Sequence, residues 1–396
     1  MKTISNIIFT DKHVLIRVDF NVPLDDNFKI LDDSRMLAAL PTIKKVVADN
    51  GKVIIMSHLG RPSGSYEKKW SLKHLVKHLS FLLKKDIIFC ADCVGEKAIS
   101  VVKKMKNTEI VLLENLRFYK EETLGDSSFA KKLSKLGDIY INDAFGTAHR
   151  NHASTSVIAQ FFPDDKFFGL LLEKEIETLD LVLENQHKPF TAIIGGAKIT
   201  GKIDVIKALI NKVDNLIIGG GMSYTFVKSM GYSIGSSIVE NKKLSLAKEL
   251  ITLAKKKGVN LILPVDSLNA HSFDNNSNTL TTSIKSIPNG LIGLDIGEKS
   301  ISLFCEIISK SKTIIWNGPM GVFEMSNFEK GTKEVSIAIS NATKKGALSL
   351  VGGGDSISAI KQFNLEADFS YISTGGGAML EYIEGKSLPG ITSISA

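Results

Sequence analysis

The chain has 396 residues, 43% of them hydrophobic and 23% charged, with a formal net charge of +7. That length favours two domains and that composition a folded globular protein. No apolar run approaches the roughly 18 residues of a membrane span, and MKTISNIIFTDKH carries no apolar leader, so the expectation is a cytosolic protein with no membrane partner. Three cysteines make no disulfide framework. Cys90 and Cys93 form a C-x-x-C, but no second pair of ligands follows, and both read as small apolar residues beside a strand end. The lysines are scattered and no basic block is interleaved with aromatics, which excludes a nucleic-acid partner from the expectation.

In chain order, periodicity predicts strands at HVLIRV, KVIIM, EIVLL and DIYIN, separated by helical stretches such as SLKHLVKHLSFLLKK and SFAKKLSKL. FFGLLLEKEIETLDLVLENQHKP follows, an amphipathic helix stopped by Pro189 and the natural connector between two halves. Strands are predicted again at TAIIG, NLIIG, NLILP, TIIW, LSLV and FSYIS. The Asn/Ser-rich NAHSFDNNSNTLTTSIKSIPNG reads as a solvent loop or small hairpin. Strand and helix alternating in this way give an α/β fold of mainly parallel sheets with crossover helices. Ligands of such sheets sit beyond the carboxyl ends of the strands.

In the first half those ends carry polar and cationic groups. HVLIRV leads into Asp19 and Asn21, KVIIM into Ser57, His58, Gly60 and Arg61, EIVLL into Glu114, Asn115 and Arg117, and DIYIN into Asp143, Phe145, Gly146, His149 and Arg150; Arg35 opens the first long helix. The five arginines, Arg17, Arg35, Arg61, Arg117 and Arg150, all lie in the first 150 residues of a chain that otherwise uses lysine. Arg offers a planar, permanently charged fork for phosphate or carboxylate. Any one of them alone reads as a surface ion pair; their repetition at successive strand ends reads as a basket for a small, multiply charged anion.

In the second half the strand ends carry glycine: Gly196 with Ala197 and Lys198, Gly220 and Gly221, Gly352, Gly353 and Gly354 before Asp355, and Gly375, Gly376 and Gly377 after Thr374. A glycine turn opening a helix aims bare N–H groups and the positive helix end at phosphate. GGAKITGKIDVI comes close to a P-loop, but Ile203 stands where Ser or Thr would ligate Mg²⁺. It is therefore read as one wall of a nucleotide phosphate site, with Lys198 and Lys202 four apart on one helical face and both aimed at phosphate. Asp355 is the expected Mg²⁺ ligand, and Glu324 in WNGPMGVFE the acceptor for ribose hydroxyls.

With RVDFNVP, HLGRP, ENLRF, NDAFGTAHR, GGAKITGKI, GGGM, LPVD, WNGPMGVFE, GGGDS and STGGGAMLEYIEGKSLPG in this order, the chain resembles phosphoglycerate kinase from end to end. The resemblance implies two Rossmann-like three-layer α/β/α domains. A 3-phosphoglycerate-binding domain would span residues 1–168 plus 386–396, a linker helix 169–185 and a nucleotide-binding domain 186–385. It implies a monomer that transfers a phosphoryl group reversibly from 1,3-bisphosphoglycerate to ADP, giving 3-phosphoglycerate and ATP with Mg²⁺, by closure of the two halves. By motif match, Asp19, Asn21, Arg35, His58, Leu59, Gly60, Arg61, Arg117 and Arg150 would bind the glycerate substrate, with His149 close by. Lys198, Lys202, Gly293, Glu324, Gly353, Gly354, Asp355 and Ser356 would bind the nucleotide, Asp355 through the metal. Arg35, Lys198, Gly375 and Gly376 would act in catalysis, together with Gly377 at the same helix start.

The nucleophile in the ATP-consuming direction is a carboxylate already ionised at neutral pH, so positioning and charge neutralisation carry the rate. Two departures from the family pattern stand out, Gly201 where a polar or acidic residue is common and Glu298 where Pro is usual. The alternatives are another two-domain α/β nucleotide-dependent enzyme and a basic polyanion-binding protein. A nicotinamide enzyme lacks support because no G-x-G-x-x-G opens the first βαβ unit, and scattered lysines do not favour a polyanion binder.

Overall fold

The structure is a computed structural model that describes residues 1–184 and 187–395. It divides into two compact units, one of Met1–Glu177 with the segment from Ser387 onward, the other of Thr178–Lys386.

In the first unit the chain runs β1 (His13–Val18), α1 (Ser34–Ala48), β2 (Lys52–Met56), α2 (Val76–Leu83), β3 (Ile87–Cys90), α3 (Gly95–Lys103), β4 (Ile110–Leu113), α4 (Lys120–Leu124), α5 (Ser127–Ser134), β5 (Ile139–Asp143) and β6 (Lys166–Phe168). These strands form one parallel sheet in the order β3-β4-β2-β1-β5-β6. The unbroken apolar runs VLI, VIIM and IVLL are what a sheet covered on both faces requires, and their residues are buried. On one face Val14, Ile16, Val53 and Ile55 pack with Met36, Ile43 and Val46 of α1 and Leu79 of α2. Because β4, β2, β1 and β5 are consecutive in the sheet, the four strand ends that carry the cationic groups form one unbroken rim.

Helix α6 (Leu170–Glu184) follows. It ends before Pro189, and residues 185 and 186, which close the expected linker and open the expected nucleotide domain, lie outside the described residues.

In the second unit come β7 (Phe190–Ile194), α7 (Ile203–Ile210), β8 (Asn215–Ile218), α8 (Ser223–Ser229), β9 (Ser233–Ile234), α9 (Leu244–Lys257), β10 (Asn260–Ile262), β11 (Asp266–Ala270), β12 (Thr279–Ser283), β13 (Ser286–Ile287), β14 (Ile292–Ile296), α10 (Glu298–Lys310), β15 (Thr313–Asn317), α11 (Lys330–Lys344), β16 (Leu348–Val351), α12 (Gly354–Gln362), β17 (Tyr371–Ile372) and α13 (Gly376–Ile383). The chain then re-enters the first unit as α14 (Pro389–Ser395). A second parallel sheet has the order β10-β8-β7-β15-β16-β17, so the glycine-bearing ends of β8, β7, β16 and β17 also lie along one rim, with β15 among them. Trp316 of β15 is fully buried in the core with Phe304, Ile314, Val335 and Ile339.

The α/β reading with parallel sheets therefore holds in both units. Two strands go beyond the sequence expectation. IIFC and KFF are short strands that lack a long apolar run, and they complete the two edges of the first sheet. The segment read as a solvent loop or small hairpin includes the turn and second strand of a hairpin of β11 and β12, which β14 extends to three antiparallel strands. No described helix is long and apolar enough to cross a membrane.

Candidate functional site

In the first unit the turns after β1, β2 and β4 are tied together by side chains from one another. Asn21 Oδ1 accepts from the Gly60 amide at 2.8 Å, and the Gly60 carbonyl accepts from Arg117 Nη1 at 2.8 Å. Asn115 Nδ2 donates to the carbonyls of Leu59 at 2.7 Å and Trp70 at 2.8 Å, while its Oδ1 receives the Arg117 amide at 3.0 Å. Gly60 has φ +64°, and a Cβ there would stand 2.2 Å from the Trp70 ring, so this turn accepts only glycine. Arg35, in the first turn of α1, places Nη1 3.1 Å from Asp19 Oδ2 and 3.1 Å from the Asn21 carbonyl. Arg150 Nε lies 3.2 Å from His149 Nε2.

Arg17 points inward from β1 and is wholly buried. Its Nη2 lies 3.2 Å from His58 Nδ1, and its Nε donates to Ser154 Oγ at 2.8 Å. Burial, then the charges of Arg17, Arg117, Arg35 and Arg150 in that order, hold the His58 imidazole well below its usual range. Burial and the charges of Arg17 and Arg150 bring Arg117 down to about 10, against the opposing pull of Glu122 and Asp19. Guanidinium groups from β1, α1 and the ends of β4 and β5 thus act on one imidazole, a concentration of positive charge of the kind that suits an anion. Arg61 is exposed just past this turn and stands outside the hydrogen-bonded set. The sequence pattern does not mark His152. It belongs to the same cluster, taken down to about 3 by burial and by Arg17, Arg117 and Arg150; its position two residues past Arg150 was the available signal.

In the second unit backbone bonds knit the glycine turns. The Gly195 amide donates to the Asn317 carbonyl at 3.0 Å, Gly196 N to Pro319 O at 2.9 Å, and Met222 N to Gly196 O at 3.0 Å. Residues 196–202 are a loop, and α7 starts only at Ile203. The shared helical face expected for Lys198 and Lys202 is therefore absent. Gly196 at φ +96° breaks the path, and Glu240 captures the amides of Ile199 at 2.5 Å and Thr200 at 3.2 Å, as well as the Thr200 hydroxyl. Lys198 is exposed. Lys202 turns inward, its Nζ donating to the carbonyls of Gly195 at 2.6 Å and Asn317 at 3.1 Å. Burial takes its ammonium down to about 8, with Asp355 pulling the other way.

The starts of α12 and α13 lie side by side, since a Cβ on Gly376 would be 3.3 Å from Gly353 Cα. Gly353, at φ +98°, leaves room for Asn317 Nδ2, which a Cβ would meet at 2.6 Å. Asn317 Nδ2 donates to Gly352 O at 2.8 Å, and Ser356 Oγ accepts from Gly318 N at 2.6 Å. Asn317 and Gly318, which connect the end of β15 to these turns, are legible in the sequence only as part of WNGP. Gly354 and Asp355 are exposed in the first turn of α12. The Gly375 amide is held by Ser373 Oγ at 3.2 Å. Two adjacent helix starts and a nearby ammonium are the kind of arrangement that suits a phosphate.

Gly293 lies in β14, where its amide donates to Ser237 Oγ at 2.9 Å, and a Cβ would fall 1.9 Å from the Tyr224 hydroxyl. Exposed Glu324 sits in the segment after β15 that pairs with this strand through Val322 N and Leu294 O at 2.9 Å. Of the two departures, Glu298 is the exposed first residue of α10 and pairs with Lys330 at 2.5 Å. Gly201 is exposed, with nothing near where a Cβ would lie. Both are accommodated at the surface. Cys90 closes β3 and is buried with Cys93, and no metal-binding group of three His, Cys, Asp or Glu occurs among the described residues.

Two parallel α/β units, one with a guanidinium rim and one with glycine turns opening helices, define a two-domain α/β phosphotransferase. The family model described as phosphoglycerate kinase matches residues 4–386. Phosphoglycerate kinase of Porphyromonas gingivalis is 51% identical, covering 99% of this chain and 99% of its own length. That of Thermosipho africanus is 50% identical over 99% of this chain and 97% of its own. The solved phosphoglycerate kinase of Coxiella burnetii matches with a TM-score of 0.88 at 39% identity over 99% of this chain and 98% of its own. The corresponding structure from Pyrococcus horikoshii gives 0.84 at 31% identity over 100% and 98%. The chain belongs to the phosphoglycerate kinase family.

Proposed function

We propose that the chain transfers a phosphoryl group reversibly between 1,3-bisphosphoglycerate and ADP, giving 3-phosphoglycerate and ATP, as a cytosolic monomer that uses Mg²⁺. The observation that carries this reading is the guanidinium field on His58, drawn from four elements of the first unit. Such a field suits a substrate with both a phosphate and a carboxylate. Asp19, Asn21, Arg35, His58, Leu59, Gly60, Arg61, Arg117 and Arg150 would hold that substrate. Lys198, Lys202, Gly293, Glu324, Gly353, Gly354, Asp355 and Ser356 would hold the nucleotide.

In the ATP-consuming direction a carboxylate oxygen of 3-phosphoglycerate attacks the γ-phosphorus and ADP departs. The carboxylate is ionised at neutral pH, so no base is required. Arg35 and Lys198 neutralise the equatorial oxygens, and the amides of Gly375 and Gly376 at the start of α13 receive charge as it develops. Asp355 fits Mg²⁺: it is a single exposed carboxylate beside an ammonium and two helix starts, and Mg²⁺ asks for one or two carboxylates and takes its other ligands from phosphate and water. Asp355 would hold the ion, which would supply positive charge to offset that of the phosphates.

The test is a coupled assay with 3-phosphoglycerate, ATP and Mg²⁺, run beside Lys198→Ala. Turnover by the native chain and a loss of roughly 10²–10³-fold in the variant are expected. Nucleotide binding with no turnover on 3-phosphoglycerate would overturn the reading.

A further inference from the structure

Four guanidinium groups act on the His58 imidazole, and the question is which ring nitrogen carries its proton. Arg17 decides it. A guanidinium has donors and no acceptor, so the 3.2 Å contact from Arg17 Nη2 requires His58 Nδ1 to accept. An imidazole that accepts at Nδ1 is neutral and bears its hydrogen on Nε2.

Arg17 is held for this task from behind. Its Nε donates to Ser154 Oγ at 2.8 Å, and Nη1 donates to the Val18 carbonyl. A serine hydroxyl has one hydrogen, and that hydrogen goes to Glu122 Oε1 at 2.6 Å, while Glu122 Oε2 takes the Ser154 amide at 3.0 Å. The polarity of the chain is therefore fixed from Glu122 through Ser154 and Arg17 to His58. Glu122, Ser154 and Arg17 all have zero solvent exposure, and His58 has 3%. Asp19, the other carboxylate near this cluster, is engaged by Arg35 at 3.1 Å, and its Oδ1 is 3.8 Å from His58 Nδ1, beyond a hydrogen bond. A buried cation needs a counter-charge, and the one on the far side of Arg17 from His58 is Glu122.

We infer that Glu122, acting through Ser154, is a positioning residue that orients Arg17 and so keeps His58 neutral with its proton on Nε2, making His58 a hydrogen-bond donor to an anionic substrate. The inference rests on the function proposed above only for the identity of that anion. The charged groups facing the His58 ring are Arg17 and Asp19 from β1 and its turn, Arg35 from α1, Arg117 from the end of β4 and Arg150 from the end of β5. Their positive excess keeps the ring from accepting a second proton. A neutral donor also costs less to desolvate than a fifth cation among four.

The experiment uses the full chain with ¹⁵N-labelled histidine. Long-range ¹H–¹⁵N correlation spectra from pH 5 to 8 report which nitrogen of His58 is protonated and whether the ring titrates. The expected result is a flat Nε2–H signature across this range. In Ser154→Ala and in Glu122→Gln, the first of which keeps the carboxylate and the second the bonded shape, that signature changes to a tautomer mixture. KM for 3-phosphoglycerate rises roughly five- to tenfold, as for one weakened hydrogen bond, with kcat changed less. Loss of stability alone would move neither the tautomer nor the ratio of KM to kcat. A His58 that titrates between pH 5 and 8, or that carries its proton on Nδ1, overturns the inference, and so does a Ser154→Ala protein whose His58 signature is that of the native chain. The spectra need no substrate, so their outcome is separate from a failure of the proposed reaction, which would appear as a native chain without turnover.

Discussion

Arg35 Nη1 lies 3.1 Å from Asp19 Oδ2, in an ion pair whose Arg side chain keeps 37% of its exposure while the carboxylate keeps 11%. A pair open on its cationic side contributes little to stability, about 0–1 kcal/mol after solvent screening. Its geometry serves something else: the carboxylate holds one end of a fork whose other face stays available. Replacing Arg35 with Ala is expected to cost about 3 kcal/mol of transition-state stabilisation, roughly 10²-fold in kcat/KM. The melting temperature should change little. ADP affinity should also be unaffected, because the glycine turns assigned to the nucleotide belong to the other unit. Steady-state kinetics and calorimetric ADP titration on the same preparation check this. A fall in ADP affinity with turnover preserved would remove Arg35 from the role assigned to it.

In the second unit the carboxylate of Asp355 acts on the ammonium of Lys202 by charge, with no direct bond between them among the described residues. The ammonium of Lys202, pushed down to about 8 by burial, is supported by the carboxylate of Asp355. Asp355→Asn removes both the proposed metal ligand and that support, so the Lys202 ammonium should lose its proton at lower pH than in the native chain. Binding of Mg·ADP is expected to weaken roughly tenfold or more at pH 7, the scale of one charge-assisted contact. The deficit should widen at pH 8.5, where Lys202 is neutral. Affinity for 3-phosphoglycerate should be preserved. Titration calorimetry at the two pH values reads all three, and an equal loss of both ligands would place the effect in folding rather than in the metal site.

Much of this was legible in the chain itself, for identifiable reasons. A lysine-rich sequence that keeps arginine at five positions, four of them at strand ends or a helix start, exposes a cationic rim before any coordinates exist, because Arg and Lys differ chemically while most surface positions accept either. The parallel sheets were legible because a strand buried on both faces must be apolar along its length. Partnerships set by distant residues were not legible. Spacing placed Lys198 and Lys202 on one face, but that rule applies only inside a helix, and Glu240, forty residues onward, holds the segment as a loop. Glu122 reads as one more charged residue in KEETL until the fold buries it against Ser154. Gly293 came only from the family resemblance, and the ring of Tyr224, which its missing side chain admits, comes from a different element.

Asp143 provides a test of stability rather than activity. It is the last residue of β5, fully buried, and its Oδ1 accepts the amides of Leu171 at 3.0 Å and Leu172 at 3.1 Å at the start of α6. Burial raises the carboxyl to about 6 from an ordinary 3.8, although hydrogen bonds from the Thr42 side chain and from the two amides favour the ionised form. Between these two values the folded state holds a proton that the unfolded state has released, so unfolding releases protons and stability falls as pH rises. The contribution is complete below pH 4 and gone above pH 6, and it amounts to roughly 3 kcal/mol across that window. Asp143→Asn keeps an acceptor for the two amides and cannot ionise. The difference in unfolding free energy, native chain minus variant, should therefore decline from pH 4 to pH 6 and stay level from pH 6 to pH 8, where the variant should be the more stable. Urea unfolding of both proteins at pH 4.5, 6 and 7.5 measures this, with the first unit's transition followed separately because two-domain chains need not unfold in one step. A difference that is flat throughout, or that grows in favour of the native chain toward pH 7.5, would mean that Asp143 is ionised in the fold at acid pH and that the two helix amides outweigh its burial.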